Sequence, residues 1–289
     1  MTIIHMMHFP WDRDQKLKEN DEDFDHQPYF AMQKYAAGFD VRLWTYSRAR
    51  SFCQEFYPDI WDALLKVTRP VMLIDVLRWV VVHHFGGLYW QMNTTPLKPM
   101  TAYFPSPGHA VRLFTEFDLT ADQCQIAKSE PIRQGEPEES KRVLIQVFSA
   151  LPGAAFVKNV IQLQLERIKS YRPKKDYDIL FITGNAAIST AYDRYGKNDK
   201  SVELTGLAES RHMIKWHYRG SWRMDNKTTV EKTTTSISSM PYARGLSRIP
   251  MLASMYYRYV ARHPHEVLVA VGSRYNYRSL RIFFDLLSY

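Results

Sequence analysis

The chain has 289 residues, enough for one large domain or two small ones with a substantial hydrophobic core. Hydrophobic residues make up 45% and charged residues 24%, which excludes wholesale disorder, and 12 glycines exclude collagen-like and glycine-rich architectures. Lys and Arg number 38 against 30 Asp and Glu, a net charge of +8 that favours an anionic partner such as a nucleotide, a phospholipid surface or a nucleic acid.

Two cysteines, Cys53 and Cys124, are too few for a disulfide framework or a four-thiolate zinc site, and read as reduced thiols in a reducing compartment. The first residues lack a basic region followed by a long apolar stretch. The longest apolar candidate for a membrane span, Val71 to Phe85, is interrupted by Asp75, Arg78, His83 and His84. The expected location is therefore cytoplasmic.

In chain order, Ile3 to His5 reads as a short buried strand, and Pro28 to Ala37 as a helix with Tyr29, Met32 and Ala36 at helical spacing. Asp40 to Trp44 alternates and predicts a second strand, with a short amphipathic helix from Pro58 to Val67. Pro70 opens a stronger helix, Val71 to Phe85, which Gly86-Gly87 stops. Leu88 to Met92 reads as a strand, Pro96 to Pro99 as an extended loop, and Val111 to Phe117 as another strand. Arg142 to Ala150 is apolar, Ala154 to Tyr171 is an amphipathic helix, and Thr183-Gly184-Asn185 precedes a helix from about Ala186 to Tyr195. The strand and helix alternation points to an α/β layer fold.

The segment richest in chemistry runs from Asp75 to Asn93. Asp75 and Arg78 are three apart and share a helix face. The glycine turn brings the next strand back beside that helix. Tyr89, Gln91 and Asn93 alternate, so they are expected on one side of the strand. Ligands of open α/β sheets bind beyond the carboxyl ends of strands, where Gln91 and Asn93 would lie. Taken singly, an ion pair and a helix stop are structural features; their spacing makes a combined site.

This run resembles the sugar-nucleotide-binding region of DXD-type glycosyltransferases of family 32, which includes Golgi mannosyltransferases and glucosylating toxins. Asp75, Arg78, Gly86, Gly87 and Tyr89 match that pattern in type and spacing, while Gln91 and Asn93 replace its two metal-binding aspartates. Ile4 and His5 resemble the end of the family's first strand, which contacts the base. Thr183-Gly184-Asn185 resembles a Thr-Gly-Pro element, and His217 with Ser221-Trp222 resembles a late element beside the diphosphate. The resemblance covers about residues 3 to 223. It implies a GT-A type, Rossmann-like α/β/α sandwich and a donor such as a UDP- or GDP-sugar. The donor would lie against Ile4, His5, Asp75, Arg78, Tyr89, Gln91, Asn93, Ser221 and Trp222, with Arg78, Gln91, Asn93 and His217 serving transfer, and the anomeric configuration would be retained. The implied acceptor is a carbohydrate or lipid-linked hydroxyl.

The departure at Gln91 and Asn93 bears on the metal. Hard cations such as Mn²⁺ or Mg²⁺ favour anionic oxygens. Gln91, Asn93 and His217 offer only neutral ligands, so metal dependence is expected to be weak or absent. Arg211, Lys215, Arg219 and Arg223 recur every four residues. They read either as a cationic substitute that holds phosphate oxygens or as a solvated helix face. Glu116 and Asp118 are the nearest acidic candidates for the acceptor side, though exposed strand-end carboxylates would look the same.

Three regions are expected: a transferase domain over 1–227, a linker over 228–239 with five Thr and three Ser, and a basic, Tyr-rich helical extension over 240–289. The last region holds seven Arg against one Glu and one Asp. It suits either docking to an anionic membrane surface or packing back onto the domain. A non-catalytic sugar-nucleotide or glycan-binding relative is the alternative to an enzyme. A nucleic-acid partner is not expected, because the cations cluster in one tail without a recognition motif.

Overall fold

A computed structural model describes residues 2–10, 17, 27–120, 124, 132 and 141–217. The expected linker and extension, and Ser221, Trp222, Arg219 and Arg223, lie outside the described residues.

The order opens with strand β1 (Ile3–His8), helix α1 (Gln27–Tyr35), strand β2 (Asp40–Thr45), and helices α2 (Tyr46–Phe56), α3 (Pro58–Leu64) and α4 (Pro70–Phe85). Strands β3 (Gly87–Trp90), β4 (Thr94–Pro96), β5 (Val111–Asp118), β6 (Lys141–Val143) and β7 (Val147–Ala150) follow. Helices α5 (Ala155–Ser170), α6 (Asp176–Ile182) and α7 (Asn185–Ala191), strand β8 (Val202–Thr205), helix α8 (Leu207–Met213) and strand β9 (Ile214–Trp216) complete it.

Seven strands form one mixed sheet in the order β2-β1-β3-β7-β5-β6, with β8 also paired to β5. β1 runs parallel to β2 and β3, and β5 runs parallel to β8. β7 is antiparallel to both β3 and β5, so β3 and β5 point the same way and their carboxyl ends share one edge. Strand alternation divides the core in two. Met7, Tyr89 and Phe148 face a layer built on α2 to α7, whereas Ile4, Met6, Leu88 and Trp90 face α1, α8 and the 3-10 turn Met100–Tyr103. The result is a Rossmann-like α/β/α sandwich, with helices on both faces of the sheet.

α4 is the central pillar. Pro70 sits at its first turn, and 11 of its residues are buried, so it is apolar nearly all round. It ends at Gly86, whose φ of 66° suits glycine. Gly87 has φ 104°, and a Cβ there would lie 2.4 Å from the Ile3 carbonyl oxygen. That close approach is what lets β3 reverse directly beneath α4 and pair with β1.

Some expected elements differ. The strand after the glycines ends at Trp90, and Gln91 to Thr94 form a turn closed by the Thr94 N–H on the Gln91 carbonyl at 3.1 Å. Tyr89 and Gln91 therefore share a side, but Asn93 belongs to the turn and not to a strand face. The expected loop after it begins as β4, paired antiparallel with β9. Arg211 lies on α8 and Lys215 on β9, so the four-residue cationic repeat is broken by the change to extended backbone at Ile214.

Candidate active site

The site grows from α4. Asp75 and Arg78 are both buried, with side chains 4% and 3% exposed, and they pair at 2.8 Å. Their ion pair thus belongs to the interior and not to the surface. A buried charge needs every hydrogen-bonding group engaged. Arg78 Nε donates to the Ile74 carbonyl at 3.2 Å, and Nη1 to the Ile145 carbonyl at 2.9 Å and to Gln91 Oε1 at 3.4 Å. Its guanidinium lies 4.9 Å from the centre of the Tyr89 ring, whose other neighbour is Phe148.

Asp75 is held from the other side. Thr183 Oγ1 donates to Asp75 Oδ2 at 3.1 Å. Gln164 Nε2 bridges the main-chain carbonyls of Asp75 and Thr183 at 3.1 and 2.6 Å. Burial raises the Asp75 pKa to about 6, against the pull of Arg78 and Thr183 toward the ionised form. The pair and its partners make a relay from α5 and α6 through α4 to Gln91, which lies just past the carboxyl end of β3.

The turn after Gln91 receives the far end of the described chain. β9 runs beside β4, with Thr94 opposite Trp216 and Thr95 opposite Lys215. The His217 N–H donates to the Asn93 carbonyl at 2.8 Å, and the His217 ring nitrogen Nε2 lies 3.0 Å from Thr95 Oγ1. Lys215 and His217 are exposed and two apart, so they share a side of this ribbon. Thus Arg78, Gln91, Asn93 and His217, separated by up to 139 positions in sequence, come together at one edge of the sheet.

Other expected site residues lie deeper. Ile4 and His5 are fully buried in the middle of β1, whose end falls at His8. His5 Nδ1 accepts from Trp44 Nε1 at 3.1 Å, which leaves Nε2 to donate to the Gly86 carbonyl at 2.9 Å. Burial lowers its pKa to about 4. Tyr89 is also fully buried; burial raises its phenol pKa, and its hydroxyl has no hydrogen-bond partner among the described residues. Ser221 and Trp222 lie outside the described residues.

Two further groups lie at or near this edge. Asn185, at the start of α7, donates to Glu116 near the carboxyl end of β5. That contact joins the Thr-Gly-Asn element to the acidic candidate. Gln146, whose carbonyl accepts from the Gln91 N–H, is hidden in the sequence by the apolar run around it. Its signal is that interruption: a lone amide between Ile145 and Val147.

The donor set fits a divalent ion poorly. Among the described residues no group of three His, Cys, Asp or Glu is placed to hold one. Gln91 Oε1 already faces the Arg78 cation, so a second cation there would meet like charge. Asn93 Oδ1 is buried without a partner among the described residues, but it is one neutral oxygen.

Among the described residues no helix is long and apolar enough to cross a membrane. No protein-family model matches the chain, and no curated protein matches it. The chain is similar to a solved structure named PaToxG Glycosyltransferase, at 10% identity and a TM-score of 0.40, over 67% of this chain and 69% of that one.

Proposed function

We propose that the chain is a glycosyltransferase that moves a sugar from a nucleoside diphosphate, UDP or GDP, to a carbohydrate or lipid-linked hydroxyl, with little or no need for a metal ion. One observation carries the reading: the Asp75–Arg78 relay ends on Gln91 at the carboxyl edge of β3, where β9 delivers Lys215 and His217. Ligands of such sheets bind at this edge. The resemblance of the Asp75 to Tyr89 run to family 32 transferases gives the edge its donor.

In this reading Arg78 positions Gln91, and Gln91 and Asn93 meet the diphosphate. Lys215 adds positive charge from the ribbon, and His217 with Ser221 and Trp222 flanks the phosphates. Transfer breaks the bond between the anomeric carbon and the diphosphate oxygen, and the acceptor oxygen bonds to that carbon. The acceptor proton passes to the leaving diphosphate, so retention of configuration needs no separate base.

Incubation with UDP- and GDP-sugars in chelator, followed by measurement of free nucleoside diphosphate and of transfer to candidate acceptors, tests the proposal. Release of one nucleoside diphosphate in chelator is expected. Turnover that vanishes in chelator and returns only with Mn²⁺ contradicts the metal reading. Binding without hydrolysis or transfer favours the non-catalytic relative.

A further inference from the structure

Gln146 stands immediately before β7, beside the carboxyl end of β3. Trp90 and Val147 are the last pair of the β3–β7 ladder, and just beyond the strand ends the Gln91 N–H donates to the Gln146 carbonyl at 2.9 Å, which holds the two residues side by side. Side chains two apart on an extended chain leave from the same face. Two residues back on each strand, Tyr89 and Phe148 mark that face as the one beneath Arg78.

Both amides are oriented by N–H donors. Gln91 Oε1 accepts from Arg78 Nη1 at 3.4 Å, and Gln146 Oε1 accepts from the Ile145 N–H at 3.1 Å. An N–H can bond only to the oxygen of an amide, so each NH₂ group is the end left over. Among the described residues no hydrogen bond is made by either NH₂; Gln91 is half-buried and Gln146 is 9% exposed. The edge therefore presents two adjacent donors where the family 32 pattern has a carboxylate at the first position.

We propose that Gln91 and Gln146 form a paired-amide anion site that holds the phosphate oxygens of the donor directly, in the place a metal ion would otherwise fill. The proposal rests on the donor-site reading above. Two carboxylates would repel a diphosphate unless a cation stood between them; two amides attract it without one. The buried Arg78 strengthens the arrangement, because a cation on the Gln91 carbonyl polarises the amide and makes its N–H groups better donors. Asp75 keeps that cation in place. Gln146 is a binding residue here, and Arg78 a positioning one.

Calorimetric titration of the full chain with UDP and with GDP, each in chelator, tests this for wild type, Gln146→Leu and Gln146→Glu. Wild type is expected to bind one of the two nucleotides. Gln146→Leu removes a donor to a charged oxygen and is expected to weaken binding by roughly tenfold to a hundredfold. Gln146→Glu can still accept from the Ile145 N–H, yet turns a carboxylate toward the phosphates. It is expected to lose binding in chelator and to regain it with Mg²⁺ or Mn²⁺, additions that leave wild type unchanged. Melting temperatures within a few degrees of wild type confirm folding, and if Gln146→Leu fails to fold, the cation response of Gln146→Glu decides alone. Variants that bind as wild type does in chelator overturn the amide pair while leaving the donor site standing. A wild type that binds neither nucleotide overturns the donor site and the pair together.

Discussion

Two polar clusters are buried on the same side of the sheet, and they end differently. His5 is closed: Trp44 donates to one ring nitrogen, the other donates to the Gly86 carbonyl, and the ring stays neutral. The Asp75–Arg78 relay is charged and open. It leads past the buried Tyr89 to Gln91 at the edge, and in the turn beyond, Asn93 Oδ1 is buried without a partner among the described residues. An unpaired buried polar group costs about 1–3 kcal/mol. The difference separates a clamp, which joins β1, β2 and the end of α4, from a charged network that runs out to the turn after β3.

The largest expected effect breaks the open cluster. Arg78→Met leaves Asp75 buried without its cation and is expected to cost about 3–5 kcal/mol by urea denaturation. A cost below about 1 kcal/mol would mean that the relay is not under load. The closed cluster is tested by pH. The His5 pKa is about 4 in the folded chain against an ordinary 6.5, so between those values the unfolded chain binds the extra proton. Stability gained by keeping His5 neutral is complete above pH 6.5 and is lost as pH falls toward 4. The stability advantage of wild type over His5→Gln should therefore shrink by about 3 kcal/mol across that window. An advantage independent of pH would show that His5 titrates normally.

Gly87 is the hinge between the two clusters. Its φ of 104°, and the 2.4 Å that would separate a Cβ from the Ile3 oxygen, predict that Gly87→Ala costs about 2 kcal/mol in the same assay. The smallest effect sharpens the comparison at the inner end of the relay. Thr183→Val removes the donor to Asp75 Oδ2 and is expected to cost about 1 kcal/mol. It should also push the Asp75 pKa further up, since Thr183 holds it down.

Much of the architecture is legible because it rests on strong local signals. Pro70, an apolar run and Gly86-Gly87 mark α4 and its stop without ambiguity. The same spacing reveals that Asp75 and Arg78 share a face, but not that the face is interior, since burial depends on α5 and α6 arriving later in the chain. α2 escapes a reading of the sequence although Thr45 caps it by accepting from the Arg48 N–H at 3.4 Å. Its charged residues hide the periodicity of Ala49, Phe52 and Cys53. β4 and β9 span three residues each, too short for any alternation to register. The meeting of Gln91 with Gln146 follows from the pairing of β3 with β7 and is separated by 55 positions of sequence, which no local pattern carries.

The central claim is that the edge formed by Gln91, Asn93 and His217 receives the nucleotide. Hydrogen–deuterium exchange of the full chain, with and without saturating UDP or GDP in chelator, tests it most directly. The account predicts slowed exchange of the backbone amides over 91–94 and 214–217 with one of these nucleotides, and little change around His5 and Trp44. Protection confined to other segments, with 91–94 and 214–217 unaltered by either nucleotide, would contradict it.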